Sequence, residues 1–300
     1  MAVEQAQLGE RVLPRKAARS PLRSFHPGTP LRHFVLIFFC LVAILPILFV
    51  IGMSLKTNDE SYSVPITLFP KHPTFDAYIY SFQSIPGLPL YFMHSVVVTV
   101  FALTGVLIIS SLAGFAFTWL PFAGKRLIFG VLVATMFFPT QITSIIGIYE
   151  VTDKLNMFDT LPGLIFPNIA VNLVVSTYIM SGVFRTIPKE LQEAARMDGC
   201  SSLRIFWQIM LPLAKNGIVV VFMLNFIAIW GEFLLASTLT GSDAGRTLSL
   251  AMALTSGGEG YWEWPRIAAV YMYMVAPPII IFAVVQKWFM RGLAEGAMKL

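Results

Sequence analysis

Charge is what this 300-residue sequence has least of: Asp, Glu, Lys and Arg make up 12%, against about 25% in soluble domains. That shortage excludes an ordinary water-soluble fold. With 56% hydrophobic residues and a mean hydropathy of +0.74, it points to one membrane unit rather than one or two soluble domains. Cysteine is nearly absent. Cys40 falls in an apolar run and Cys200 in a polar loop, so no disulfide framework organises the chain. His26, His33, His72 and His94 are scattered without metal-ligand spacing. No G-x-x-x-x-G-K-[ST], H-E-x-x-H or G-x-S-x-G run occurs, so the chain carries no phosphate loop and no zinc-protease or serine-hydrolase motif. It is read as a non-enzyme that binds no metal or cofactor itself.

What is abundant is long apolar sequence. Six stretches, at about 34–54, 95–120, 127–149, 161–184, 217–239 and 267–289, predict an all-α integral membrane protein with six transmembrane helices. They form one membrane unit over 33–289, between a basic tail at 1–32 and a short tail at 290–300. The first stretch is too long for a signal-peptide core and has no A-x-A site nearby. The basic tail carries Arg11, Arg15, Lys16, Arg19, Arg23 and Arg32 among helix-breaking prolines. It lacks aromatic interleaving, so its partner is the membrane surface and not nucleic acid. Sixteen of the 21 Lys and Arg fall in the segments that share a side with this tail, and five fall opposite. The positive-inside rule therefore puts both termini and the 187–212 loop in the cytoplasm.

Within the spans, Gly105, Ser110, Ser111, Ala113 and Gly114 predict close helix packing, since small residues let backbones approach in lipid. Pro139, Thr140 and Gln141 sit inside the third stretch, where proline frees a carbonyl. Gln141, Asn168, Asn172, Asn225, Trp230 and Glu232 are candidates to line a path for a hydroxyl-rich solute. Hydrogen bonding between helices accounts for the amides equally well. Glu232 stands near the outer end of the fifth span, where a carboxylate is tolerated. The aromatics Tyr261, Trp262 and Trp264 in the loop 240–265 suggest an interfacial belt. Pro277 and Pro278 predict a kink in the last span.

One polar passage differs from the other loops. In 187–212, Pro188 and Glu190 suit a helix start, and Gly199 suits a helix end. Ser201 or Ser202 can cap a second helix with an apolar stripe at Leu203, Phe206, Trp207 and Met210, closed by Pro212. This is a bent helix pair between two spans.

Its spacing carries a resemblance. Glu193-Ala194-Ala195, then Gly199 after three intervening residues, then Ile209, Leu211 and Pro212 after nine more, resembles the signature loop of permease subunits of bacterial ABC importers. The lead-in LFPKHPTFDAYIYSF, the GKR turn and the NMFDT approach to the fourth span resemble the maltose-type, carbohydrate-uptake branch. So does the tail QKWFMRGLAEGAMKL, with Leu300 where the family has glycine. The resemblance implies the type I importer architecture. It also implies a second permease subunit, two ATP-binding subunits that hold ATP and Mg, and a periplasmic or lipid-anchored solute-binding protein. Glu193, Ala194, Ala195, Asp198, Gly199, Ile209, Leu211 and Pro212 would couple to the ATPase. Gln286, Gly292, Gly296 and Lys299 would reach towards it. Where the family often has W-N-x-F, this chain has Trp230-Gly231-Glu232-Phe233, so no role is taken from that asparagine. A secondary transporter or channel would need buried ionisable pairs at mid-membrane. A membrane-bound sensor or enzyme would need converging catalytic groups. The sequence displays neither.

Overall fold

The computed structural model describes residues 29–65, 67–85, 87–137, 144–256 and 263–297. Among them all regular structure is helical. Helix α1 (Thr29–Ser54) is apolar on every side, and its residues up to Ile47 form a unit of their own with side chains exposed all round. A helix without a polar face is suited to hydrocarbon.

The second unit, Leu48–Leu300, is built on two long helices. They are α4 (Leu88–Trp119) and α7 (Leu161–Arg185), which follow α2 (Asn58–Ser61), α3 (Asp76–Ser84), α5 (Lys125–Ala134) and α6 (Ile145–Lys154). The small residues do what the sequence predicts. A Cβ on Gly114 would lie 2.7 Å from Met180 Cβ and 2.9 Å from the Ser181 backbone nitrogen. One turn later Thr118 Oγ1 donates to Gly114 O at 2.8 Å and lies 3.2 Å from Ser181 O. Lys125, just after the left-handed Gly124, donates from Nζ to the carbonyls of Thr118 and Leu120, which α4 leaves open at its end.

Among the described residues, four helices are long and apolar enough to cross a membrane: Pro30–Ser54, Leu88–Trp119, Leu161–Arg185 and Trp264–Gly292. A bent pair, Ser202–Leu213 with Lys215–Trp230, would make a fifth, its halves meeting at 77°. Two expected spans do not appear among the described residues as single helices. In the stretch 127–149, α5 passes into a 3-10 turn at Thr135–Phe137, and a separate helix begins at Ile145. Gln141 lies outside the described residues. The stretch 217–239 divides into α11 (Lys215–Trp230) and α12 (Leu234–Leu239). The break is tolerated because Glu232 accepts hydrogen bonds from the open N–H groups of Leu235, at 2.6 Å, and Ala236, at 3.0 Å.

The loop expected over 240–265 contains α13 (Leu248–Ser256), whose Leu248, Leu250 and Ala251 are buried. Of the expected aromatic belt, Tyr261 and Trp262 lie outside the described residues, and Trp264 is exposed at the start of the last helix. That helix, α14 (Trp264–Ala297), runs on through 290–297, into the expected C-terminal tail. Two apolar cores fill the unit. One gathers Phe115, Met180, Phe184, Ala195, Phe206 and Met210, and the other Leu103, Leu164, Phe226, Trp230, Leu239 and Leu248.

Candidate coupling and transport site

The signature loop folds as a helix, a turn and a second helix docked on the first core. Helix α8 (Lys189–Met197) starts one residue after Pro188, whose extended ψ of 139° makes it the cap and not the first helical residue. The helix ends in two bonds: Gly199 N–H donates to Arg196 O and Cys200 N–H to Ala195 O, each at 3.0 Å. That pair is a Schellman closure, and it needs a left-handed residue, here Gly199 at φ +78°. A side chain at Gly199 would meet nothing within 4 Å, so the glycine is there for its backbone angle and not for room. Ala195 is buried against the core, while Glu193, Ala194, Asp198 and Gly199 face outward. The helix thus has an anchored side and a free side.

Ser201 caps the next helix, α9 (Ser202–Ile205), by accepting from Arg204 N–H at 3.3 Å. The expected stripe is then shifted. Residues Phe206–Met210 form a π-turn, which leads into the short α10 (Leu211–Leu213) and the bend at Ala214. Ile205, Phe206 and Met210 are buried and Ile209 half-buried, whereas Leu203 and Trp207 are exposed. A π-turn holds more residues than an α-turn, which displaces the apolar phase. Pro212 does not close the segment. Lacking an N–H, it interrupts the ladder, and the chain bends two residues later.

The amides expected along a path meet at the seam between α7 and α11. Asn225 Nδ2 donates to Ser176 Oγ at 2.9 Å and to Val221 O at 2.7 Å. Asn168 donates to Leu164 O at 2.9 Å, Asn172 to Asn168 O at 2.8 Å, and Ser176 to Asn172 O at 2.7 Å. Trp230 Nε1 donates to Met274 O at 2.8 Å, and its ring packs on Phe92 and Phe226. Asn168, Trp230 and Glu232 line a cavity of about 10 Å³, room for about one water. In this conformation Asn225 and Trp230 tie helices together, while Asn168 and Asn172 bond carbonyls of their own helix.

At the tail, Gln286 donates to its own helix at Ala283 O, 3.0 Å away. Gly292 lies against α11, where a Cβ would come within 2.5 Å of Asn216 O. Gly296 is in α14, and Lys299 lies outside the described residues.

Sequence reading passed over a polar knot at the far end of the bundle. Asp159, itself at φ +58°, accepts from Gly241 and Ser242 N–H at 3.0 Å each, and its own N–H donates to Leu239 O at 2.9 Å. Tyr91 Oη donates to Asp243 at 2.8 Å, and Arg246 pairs with the same carboxylate. The 82-residue separation of Asp159 from Gly241 hides the knot from any local pattern. Burial alone would raise the Asp159 carboxyl, but hydrogen bonds from Ser242 and Gly241 and the charge of Arg246 hold it below its ordinary 3.8. A lowered folded pKa contributes stability that is complete above the ordinary value and is lost as pH falls through the folded one. Acidification below about pH 4 is therefore expected to lower the melting temperature of the wild type. Asp159→Asn should be less stable at neutral pH and show less of that acid dependence. Parallel pH profiles for the two proteins would refute the linkage.

Comparison with known proteins places these features. The model of the family described as "Binding-protein-dependent transport system inner membrane component" matches residues 107–295, from α4 to the end of α14, including the whole signature loop. A sulfoquinovosyl glycerol transport system permease protein of Agrobacterium fabrum is 31% identical over 94% of this chain and 98% of its own length. A trehalose transport system permease protein of Mycobacterium tuberculosis is 32% identical over 86% of this chain and 93% of its own. A diacetylchitobiose uptake system permease protein of Streptomyces coelicolor is 29% identical over 95% and 93%. In fold, the chain is similar to one from the crystal structure of a bacterial ABC transporter involved in alginate import, with a TM-score of 0.77 over 90% of this chain and 100% of that one, at 22% identity. A multi-pass helical chain with the signature spacing in its proper place, matched from α4 onward, belongs to the binding-protein-dependent transport system inner membrane components.

Proposed function

We propose that this chain is one of two different membrane subunits of an ATP-driven importer for a sugar or related hydroxylated solute, in a bacterial cytoplasmic membrane. The observation that carries the reading is the signature loop: a helix anchored through Ala195, closed rigidly at Gly199, with Glu193 and Ala194 left facing out. The names of the relatives, which concern glycosides and disaccharides, support the solute class. On this reading the stretches 127–149 and 217–239 are also membrane segments, which makes six, and the distribution of Lys and Arg supports both termini in the cytoplasm.

ATP and Mg act on two partner subunits, and a solute-binding protein delivers from the other side. Closure of the ATPase pair pushes on the free side of α8. Because Ala195 shares a core with Phe115, Phe184 and Met210, the push is passed to α4, α7 and the segment leading to α11 as one body. The seam at Asn168, Asn172, Ser176 and Asn225 then opens, and the amides exchange internal bonds for solute hydroxyls. Trp230 and Glu232 lie along the same route. The helical end of α14, with Gln286 and Gly296, faces the ATPase side.

The direct test is a mild-detergent pull-down of the tagged protein from its native membrane, with ATPase assay of the eluate. A second permease and an ATPase should co-elute, with activity raised by the solute-binding protein and its sugar. A lone, ATPase-free protein that still transports would replace this reading with a secondary transporter.

A further inference from the structure

A cavity of about 330 Å³ lies between the end of α1, the start of α3 and the start of α14, away from both the signature loop and the amide seam. Its walls include Lys56, Asn58, Asp76, Tyr80, Glu263 and Arg266. Lys56 is 2% exposed, yet its ammonium has one acceptor, the carbonyl of Thr67, and no carboxylate within salt-bridge distance among the described residues. An ammonium has three donors, and a buried charge without a counter-ion is costly. Arg266 stacks over the Tyr80 ring at 5.0 Å, and its Nε is buried without a partner. Its contact with Glu263, at 3.7 Å, is longer than a hydrogen bond. Two cations thus border one cavity with donors to spare.

The surroundings say what kind of anion fits. Lys56 stands two residues past the end of the α1 span, and Arg266 stands two residues into the α14 span, so the cavity lies at headgroup depth. Beside it, Phe75, Ile79 and Phe82 make an exposed apolar stripe at i, i+4, i+7, with Phe75 68% exposed. A short helix with such a stripe lies in the membrane interface. Asp76, at the start of that helix, and Glu263 put negative charge on the same walls. Both signs in one cavity suit a zwitterion.

We propose that this cavity is a phospholipid site that seats a phosphoethanolamine headgroup. Its phosphate is held by Lys56 and Arg266, its ammonium by Asp76, and its acyl chains lie along the Phe75–Ile79–Phe82 stripe. The lipid supplies the counter-ion that Lys56 lacks and ties the short α3 to two spans.

The test uses the purified full-length protein in its transporter complex, stripped of lipid and titrated with phosphatidylethanolamine, phosphatidylcholine and phosphatidylglycerol of matched chains, read by native mass spectrometry. Phosphatidylethanolamine should bind about tenfold more tightly than the other two, the worth of an ammonium–carboxylate hydrogen bond, which choline has no N–H to make and glycerol can replace only with an uncharged hydroxyl. Lys56→Gln should weaken it about tenfold. Asp76→Asn, at an exposed position, should abolish the preference over phosphatidylglycerol without removing binding. Equal binding of all three lipids by the wild type would overturn the proposal, and that comparison needs no variant to fold. Unchanged lipid affinity in Lys56→Gln, together with weaker binding of the solute-binding protein, would instead make the cavity a socket for a protein carboxylate.

Discussion

Gly199→Val is expected to leave the protein inserted in the membrane but to separate ATP hydrolysis from transport. The residue sits at φ +78°, where an L-residue costs about 1–2 kcal/mol and a β-branched one more. Nothing lies within 4 Å of the new Cβ, so no clash in the core contributes. The strain is relieved by turning the backbone, which breaks the two bonds, from Gly199 to Arg196 and from Cys200 to Ala195, that close α8. The outward face carrying Glu193 and Ala194 then loses its fixed angle to the buried Ala195. In reconstituted complex, uptake should fall about tenfold, in proportion to the strain, while ATPase activity stops responding to the solute-binding protein. Gly199→Asn, which tolerates the left-handed region, should recover most of the uptake. Wild-type uptake by the valine variant would sink the lever role of the loop.

A large loss of stability is expected from Gly114→Val. The glycine faces backbone: a Cβ would stand 2.9 Å from Ser181 N and 3.0 Å from Met180 C, atoms that move only if α7 moves. Without a hydrophobic drive between helices in lipid, association rests on this approach and on hydrogen bonds such as Thr118 to Ser181. Prising α4 from α7 should cost about 3 kcal/mol, the upper end for overpacked sites. The control lies on the facing helix. Gly182 has nothing within 4 Å of its Cβ, so Gly182→Val should be close to neutral. Unfolding in mixed micelles would measure both. Equal stability of the two variants would show that the close crossing does not hold the bundle together.

Where a feature depends only on neighbours in the chain, the amino-acid sequence makes it legible. The helix end at Gly199, the Ser201 cap and the approach of α4 at Gly105 and Gly114 follow from single residues whose local chemistry has few alternatives. Glu232 shows the limit of that approach. Hydropathy carries the stretch 217–239 across as one helix, because it records affinity for lipid and not the continuity of the backbone. The break after Trp230 is stable only because the Glu232 carboxylate takes the open N–H groups of α12 and Ser249 Oγ donates to the Glu232 carbonyl from 17 residues on. The same holds for α13, an apolar segment in an expected loop that is buried against α4, where Ser95 Oγ accepts from Leu248 N–H.

The sequence by itself determined the class of this protein: membrane-embedded and helical, with an importer-type signature loop on the side where Lys and Arg collect. Tertiary structure decided which face of 203–210 is buried, that the stretch 217–239 is divided, and that the expected path amides are spent on backbone carbonyls and Ser176 in this state. It also brought Lys56 and Arg266 to one cavity from 210 positions apart. The division has a physical cause. Transfer into lipid and helix ends are set within a few residues, whereas satisfying a broken helix or a buried charge requires partners that only folding brings near.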